Sequence, residues 1–382
     1  MTDPVDSASV FAELKTDCRH FRWDRPCAPH KRAGRLCPTC PEYDPVRARL
    51  LIVKLAAVGD VLRTTALLPA VRRAWPGARI TWVTQPAAVA LFDGNELVDE
   101  VLTTGDAVTA ARLAVECFDA VLCPDADPDA AAVAAAAHAG VRVGFGMDVQ
   151  GRVVPLGPGA ERWFRMGLDD RAKRANRDTY QRLAAAVLAL DATAVARPVL
   201  VPRAEDVAAA RHWRASLGFD GALVGLNTGA GGRWLYKQWT LEHQRAFLTA
   251  ATTAGIGVVL LGGPAERQRH ADLLASAAGA PVFDAGNDND YSRFAALVEQ
   301  CAVLVTGDTF ALHVACARGV PVVALFGPTS SAEVELYGTG EKIVPELDCL
   351  CCYLPVCDVT PHCQALITPA VVLAAVRRWL PV

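Results

Sequence analysis

The chain has 382 residues, which exceeds one ordinary domain and favours two domains of about 150–200 residues. Hydrophobic residues make up 52% and charged residues 21%, so the composition predicts a sizeable core and excludes a disordered chain. The 38 Lys and Arg residues against 41 Asp and Glu residues give a net charge of −3, which argues against a nucleic-acid partner. The sequence has neither an apolar signal-peptide core nor an apolar run of ~18 residues, so we expect a cytoplasmic protein.

The predicted elements begin after a Cys-rich and Pro-rich segment, residues 1–45, which reads as an irregular appendage. Short apolar runs then predict strands at 49–55, 79–84, 98–102, 120–123 and 141–144. The intervening segments predict helices, among them 61–74 and 128–139, whereas 145–177 is predicted to be irregular. This alternation is typical of a doubly wound parallel sheet.

The same alternation of predicted strands and helices begins again near residue 218. Strands are predicted at 222–227, 257–263, 302–306 and 320–326, and helices at 241–254, 264–278, 291–301, 309–318 and 369–380. We therefore predict an α/β chain with an appendage at 1–45 and two Rossmann-like domains at 46–217 and 218–382. In open parallel sheets ligands bind beyond the carboxyl ends of the strands, so a cleft between the two domains should hold the site.

The first candidate site residue follows the first predicted strand. Gly59 permits a tight turn, and Asp60 stands at the start of the next helix. An aspartate there is either a simple helix N-cap or a general base that faces the cleft.

The loop 227–239 follows the first strand of the second domain. It contains three glycines, and Thr228, Arg233 and Lys237 are its candidate donor-binding residues. Small residues let backbone N–H groups approach a phosphate, and the two cations can neutralise it. The alternative is a long surface connection.

Two further loops open helices in the second domain. Glu266 can bind ribose hydroxyls or stabilise the first turn of its own helix. Asp308 and Thr309 precede a helix whose N-terminal amides suit a diphosphate. His313, one turn on, is either a ligand contact or a satisfied buried histidine.

Three segments of the chain resemble glycosyltransferase family 9, the heptosyltransferase family of lipopolysaccharide core assembly. They are 51–62 with Gly59-Asp60, then Lys237-Gln238-Trp239, then Gly307-Asp308-Thr309 with His313 and the stretch 320–329. The resemblance covers about residues 48–380. Phe310 stands where the family pattern usually has glycine, and we expect it to crowd the helix start.

The resemblance implies a GT-B fold and inverting transfer from an ADP-activated heptose. By position, Asp60 takes the place of the catalytic base, Lys237 that of the phosphate-binding lysine and Glu266 that of the ribose ligand. Asp308 and Thr309 correspond to the sugar and diphosphate loop.

Two cations complete the implied site. Arg63, one turn beyond Asp60, would face the acceptor. The transfer requires no divalent metal if Lys237, Arg233 and helix N-termini supply the positive charge that stabilises the departing diphosphate.

The 13 cysteines are unevenly distributed. Clustered thiols in a reducing compartment favour metal binding over disulfides. A structural zinc site and an iron–sulfur cluster both accept four thiolates, and free or disulfide-bonded thiols are the alternative. The candidate ligands form two sets, Cys18, Cys27, Cys37 and Cys40 near the N-terminus, and Cys349, Cys352, Cys357 and Cys363 near the C-terminus.

The first functional hypothesis is therefore a glycosyltransferase that uses an ADP-sugar. The acceptor is a glycan, a lipid-linked molecule, a small molecule or a protein, and a lipid-linked acceptor would bring the protein to a membrane surface. A second hypothesis is a non-catalytic nucleotide-sugar or partner-binding protein with a metal-stapled N-terminal arm. A third is a nucleotide-sugar epimerase, which needs further acid and base carboxylates in the cleft.

Overall fold

The structure is a computed structural model that describes residues 13–231 and 235–381; the predicted donor-binding residue Arg233 lies outside the described residues. The first of its two six-stranded sheets has the strand order β3-β2-β1-β4-β5-β6. All neighbouring strands run parallel except β6, which is antiparallel to β5. The strands are β1 Ala48–Val53, β2 Ala78–Thr84, β3 Glu100–Thr103, β4 Cys117–Cys123, β5 His138–Met147 and β6 Val153–Leu156.

The second sheet has the order β12-β11-β10-β7-β8-β9, and all of its strands run parallel. Counted within each half, both sheets therefore follow the order 3-2-1-4-5-6 of the Rossmann fold. The predicted fold of two Rossmann-like sheets is confirmed. The strands are β7 Leu223–Asn227, β8 Gly257–Leu261, β9 Val282–Asp284, β10 Val303–Gly307, β11 Val322–Leu325 and β12 Gly340–Ile343.

Helices connect the strands of the first half. The predicted helix 61–74 is in fact two helices, because a 3₁₀ turn at Thr65–Leu67 separates them just before Pro69. Proline lacks an N–H and fits the first turn of a helix, so the second helix begins there. The helices are Ala28–Ala33, Val58–Thr64, Leu68–Ala74, Ala107–Val115, Pro128–Ala136, Pro158–Leu168, Asp170–Ala175, Tyr180–Val187 and Ala204–Ser216.

The prediction that 145–177 is irregular was wrong. This stretch completes β5 and forms the short edge strand β6 and two helices, the first of which starts at Pro158. The strand β6 was not predicted because four residues at a sheet edge are too few to show a periodic hydrophobic pattern. The helices of the second half are Leu241–Thr253, Arg267–Ser276, Tyr291–Val298, Phe310–Arg318, Cys363–Leu366 and Pro369–Trp379.

The Cys-rich N-terminal segment packs against the first sheet. Arg19 pairs with Asp44 of the same segment at 2.8 Å and donates a hydrogen bond of 3.0 Å to the carbonyl oxygen of Ala78, at the start of β2. The backbone of Cys18 also forms a β-bridge with Pro45. The appendage is therefore anchored at the amino-terminal edge of the sheet.

The two halves meet at the opposite edge. The helix Phe310–Arg318 of the second half packs against the helix Val58–Thr64 of the first. A Cβ atom on Gly59 would lie only 3.2 Å from the ring of His313, so the two helices approach closely at this glycine. This packing brings the loops after β1 and β10 together. No helix in the described ranges is long and apolar enough to cross a membrane.

Candidate active site

Asp60 projects from the first turn of the helix that follows β1. The N-cap of that helix is Ala57, so the N-cap interpretation of Asp60 was wrong. Its Oδ1 atom pairs with Arg63 Nη2 at 2.8 Å, and its side chain is 38% exposed. Burial raises the pKa of this carboxyl, but the nearby charges of Arg63 and Lys54 outweigh that effect and lower the pKa to about 2. Asp60 is therefore an anion that faces the cleft.

Arg63 is held between Asp60 and an aromatic ring. Its guanidinium carbon lies 3.7 Å from the ring centroid of Tyr180, within the range of a cation–π contact. The hydroxyl of Tyr180 shares a hydrogen bond of 2.5 Å with Thr64. Arg63 Nε is buried and has no hydrogen-bond partner among the described residues.

A second ion pair, which the sequence reasoning missed, lies beneath Asp60. Lys54, at the end of β1, pairs with Asp125, after β4, at 2.7 Å and also donates to the carbonyl oxygen of Ala56. Its side chain is 6% exposed. Both residues end neighbouring parallel strands, and this was the signal that could have revealed the pair.

The second half contributes a buried ion pair opposite Asp60. Lys237 Nζ lies 2.9 Å from Asp308 Oδ2, and the two side chains are 17% and 16% exposed. A Cβ atom on Gly307 would lie 2.3 Å from the carbonyl oxygen of Lys237, so only glycine permits this approach. Burial raises the pKa of Asp308, but the charge of Lys237 outweighs that effect and lowers the pKa, so the carboxyl stays ionised.

His313 lies among these charges without carrying one. Burial, assisted by the Arg63 charge, lowers its pKa to about 4. The imidazole is therefore neutral at pH 7. The charges of Asp60, Asp308 and Lys237 all act on this imidazole, so the structure gathers these predicted residues around one point.

A cavity of about 370 Å³ adjoins this point in the second half. Glu266 lies in its wall, 8% exposed, and accepts a hydrogen bond of 2.9 Å from the N–H of Gly263. Thr309 also lines the cavity, and its hydroxyl accepts from the amide of Asn227 at 3.2 Å. The cavity occupies the carboxyl ends of β7, β8 and β10, where a Rossmann-like sheet binds nucleotides.

The structure does not bring Thr228 into this cavity. Its side chain is fully buried, and its hydroxyl lies 3.0 Å from His270 Nε2 and donates a long bond to the carbonyl oxygen of Leu261. Those contacts direct the hydroxyl into the protein. The predicted donor contact of Thr228 is therefore not supported by its side-chain placement.

Phe310 does not crowd the start of its helix. The helix begins regularly at this residue, and the ring packs 5.0 Å from Tyr291 and 6.0 Å from Phe294, measured between ring centroids. All three rings line the cavity. Phe310 therefore supplies part of an aromatic wall, and Tyr291 also donates a hydrogen bond to the carbonyl oxygen of Ala87 in the first half.

A larger cavity, about 750 Å³, lies at the far edge of the first sheet beneath the N-terminal segment. It is lined by residues at the amino-terminal ends of strands, such as Ala48 and Arg79. None of the residues gathered around Asp60 contributes to it. Position beyond the carboxyl ends of the strands, rather than volume, therefore identifies the candidate site.

The two cysteine sets are each gathered around a small cavity. The N-terminal four line one cavity and the C-terminal four line another, each about 20 Å³. All of these cysteines are free thiols. Among residues 13–231 and 235–381, no three His, Cys, Asp or Glu side chains are already arranged to hold a metal ion.

The sequence matches the model of glycosyltransferase family 9 (heptosyltransferase) over residues 109–353, and the chain belongs to this family. It is therefore a glycosyltransferase of the heptosyltransferase type. Lipopolysaccharide heptosyltransferase 1 of Escherichia coli is 25% identical over 316 residues, which span 77% of this chain and 92% of that protein.

Three solved structures share the fold. A glycosyltransferase family 9 protein from Veillonella parvula superposes with a TM-score of 0.71 at 20% identity, covering 87% of this chain and 97% of that one. The E. coli heptosyltransferase WaaC, solved with ADP-2-deoxy-2-fluoro heptose, gives 0.55 at 20% identity and covers 86% and 99%. TibC, an iron-containing dodecameric glycosyltransferase of enterotoxigenic E. coli, gives 0.53 at 14% identity and covers 87% and 76%.

Proposed function

We propose that this chain transfers a heptose-like sugar from an ADP-sugar to an acceptor hydroxyl with inversion, and that Asp60 is the general base. The main support for this proposal is one observation. The Asp60 carboxylate of the first half faces the Lys237–Asp308 pair of the second, beside a cavity of about 370 Å³. The family and the ADP-heptose analogue bound by the similar WaaC support the choice of donor.

The cavity suits the nucleotide part of such a donor. The carboxylate of Glu266 can accept hydrogen bonds from ribose hydroxyls, and the rings of Tyr291, Phe294 and Phe310 offer an apolar surface to a base. Thr309 stands at the N-terminus of the helix Phe310–Arg318, where backbone N–H groups favour a diphosphate. A donor laid across these groups would direct its sugar toward Asp60.

Lys237 would stabilise the leaving diphosphate. Its ammonium is already fixed by Asp308 at 2.9 Å, so it needs little reorganisation when negative charge develops on the departing oxygen. The neutral imidazole of His313 adds no competing charge at pH 7. Asp308 therefore positions the ammonium of Lys237 for the phosphate.

Asp60 would accept the acceptor proton. The acceptor oxygen attacks the anomeric carbon on the face opposite ADP, the bond to the diphosphate breaks, and ADP leaves with the electron pair. The acceptor proton passes to Asp60, whose second oxygen is not the one paired with Arg63. A pKa of about 2 makes a weak base, but the incoming diphosphate brings negative charge that raises the pKa.

The acceptor would enter beside Arg63. The Arg63 side chain pairs with Asp60 and is 15% exposed, so the pair lies on the first-half side of the cleft. A guanidinium carries only hydrogen-bond donors, so it favours an acceptor that carries oxygen atoms. A glycan, a lipid-linked sugar and a polar small molecule all meet this requirement.

Calorimetric titration with ADP, UDP and GDP tests the donor assignment. We expect ADP to bind more tightly than UDP or GDP, and Lys237→Ala to weaken ADP binding, because the diphosphate loses its nearest cation. A preference for UDP or GDP would overturn the ADP-sugar donor. A folded wild-type protein that binds none of the three nucleotides would favour the partner-binding hypothesis.

A further inference from the structure

The Cys-rich N-terminal segment has almost no hydrophobic core of its own. Among its described residues, 13–45, only Pro29 is buried, and the large apolar side chains of Trp23 and Leu36 are exposed. Units of fewer than about 40 residues generally need a disulfide, a metal ion or a partner to hold their fold. Arg19 fixes one end of the segment to the first sheet, so the turns beyond it need another source of stability.

Local backbone turns direct four thiols of this segment toward one point. Cys37 opens the 3₁₀ turn Cys37–Thr39, and the N–H of Cys40 donates to the carbonyl oxygen of Cys37 at 3.4 Å. Side chains three residues apart in such a turn lie on the same side. Cys27, the residue before the first helix, and Cys18 approach from two other turns. The four thiols line one cavity of about 20 Å³, which is room for about one water molecule or one ion.

Positive charge surrounds this cavity. Lys15 and Arg35 also line it, and the ammonium of Lys15 lies 4.7 Å from the ring centroid of Tyr43, another residue of its wall. The carboxylate of Glu42 lines it too but is paired with Arg32. A divalent ion held by four thiolates leaves a net negative charge, and cations at this distance would offset it.

We propose that Cys18, Cys27, Cys37 and Cys40 bind one Zn²⁺ ion as thiolates in a closed structural site. Four thiolates complete the tetrahedral shell of structural zinc, with metal–sulfur bonds of about 2.3 Å, and leave no open position for a reacting water. None of the four forms a disulfide. Because the thiols are not yet arranged for coordination, binding draws them inward, and a segment without a packed core can make that adjustment.

The ion would give the N-terminal segment an internal cross-link. It would join the turn at Cys18 to the other two turns and so fix the neighbouring Arg19. That arginine donates to the carbonyl oxygen of Ala78, at the start of β2, and pairs with Asp99, just before β3. The site would therefore hold the segment on the amino-terminal edge of the first sheet. This role is separate from the transfer chemistry at the opposite edge and does not rest on the proposed function.

Metal analysis of paired cysteine variants tests the proposal. The full chain is purified under reducing conditions, and zinc and iron per chain are measured by inductively coupled plasma mass spectrometry. We expect Cys40→Ser to contain one zinc ion fewer per chain than Cys117→Ser, which should match the wild type. Cys117 is the control because it is exposed, begins β4 and lies outside both cysteine sets. Any ion held by the C-terminal cysteines contributes equally to both variants.

Limited proteolysis tests the cross-link independently. Trypsin cleaves after arginine, and Arg25 and Arg32 of the segment are exposed. We expect cleavage within the segment to be severalfold faster in Cys40→Ser than in Cys117→Ser, while the two variants are cleaved equally elsewhere in the chain. A segment that opens more often offers its backbone to the protease more often.

The two measurements have separate contrary outcomes. Equal zinc content in Cys40→Ser and Cys117→Ser would overturn the zinc site, and so would the loss of iron in place of zinc. Equal cleavage of the segment in the two variants would overturn its role as a cross-link. Circular dichroism checks that each variant is folded, and Cys37→Ser is the second ligand variant if Cys40→Ser does not fold.

Discussion

One added methyl group at Gly229 should disturb the proposed ribose contact by displacing Glu266. A Cβ atom there would lie 2.0 Å from Glu266 Oε1 and 2.2 Å from its Cγ and Cδ atoms. Glu266 must then rotate and release the N–H of Gly263, which it now holds at 2.9 Å. In its new position the carboxylate no longer meets the ribose.

The size of the effect follows from the bonds that are lost. A hydrogen bond to a charged group contributes about 1.5–3 kcal/mol. Because 1.4 kcal/mol corresponds to a factor of ten, loss of the ribose contact should weaken ADP binding by about 10- to 150-fold. Titration calorimetry with ADP measures this change, and circular dichroism checks the fold.

Gly263→Ala is the matched control for Gly229→Ala. It adds the same methyl group on the other side of Glu266, but its Cβ atom would lie 3.5 Å from Glu266 Oε2, an ordinary contact distance. The φ angle of −100° at Gly263 also suits alanine. We expect this variant to bind ADP as the wild type does. Wild-type affinity in a folded Gly229→Ala variant would refute the assignment of Glu266 to the ribose.

Three further predictions concern stability. Lys237→Met removes the partner of the Asp308 carboxylate, which is 16% exposed, so it should lower the free energy of unfolding by about 3–5 kcal/mol. Adding Asp308→Asn to the same chain should restore part of that loss in thermal melts. An unchanged melting temperature in Lys237→Met would contradict a stabilising role for this ion pair. The pKa of His313 falls from 6.5 to about 4 on folding, so the unfolded chain binds the proton more readily between these values. The contribution of neutral His313 to the free energy of unfolding is therefore fully present above pH 6.5, and about 3 kcal/mol of it is lost toward pH 4. Urea titrations should show a weaker dependence of the unfolding free energy on pH in His313→Gln but not in His138→Gln, the exposed control. The same pH dependence in both variants would contradict the burial argument. Tyr291→Phe removes the 2.8 Å bond to Ala87 and should lower stability by about 1 kcal/mol in urea, whereas wild-type stability would mean that this contact between the halves contributes nothing.

The sequence was most informative where strands are buried. The runs that became β1, β7 and β10 are apolar on both faces, so their position and the loops beyond them could be predicted. The short strands β6, β9 and β12 lie at sheet edges and have only three or four residues, too few for a pattern. They were missed for that reason.

The residues of the candidate site could be predicted from the sequence, but the side chains with which they pair could not. Asp60, Lys237 and Asp308 could be chosen because each follows a strand in a family motif. The pairing of Lys54 with Asp125, 71 residues apart, depends on which strands are neighbours in the sheet, and sequence periodicity does not give that. The inward orientation of the Thr228 hydroxyl depends on His270, which lies about 40 residues further along the chain on the helix Arg267–Ser276.

The most direct test of the proposed chemistry compares Asp60→Asn with the wild type on an ADP-activated heptose, with mixed glycans offered as acceptors. The substitution keeps the shape of the side chain and removes the base, so the affinity for ADP should persist while ADP release by transfer falls by about 10²–10⁴-fold. Release at the wild-type rate by a folded Asp60→Asn protein that binds ADP normally would contradict the role of Asp60 as general base.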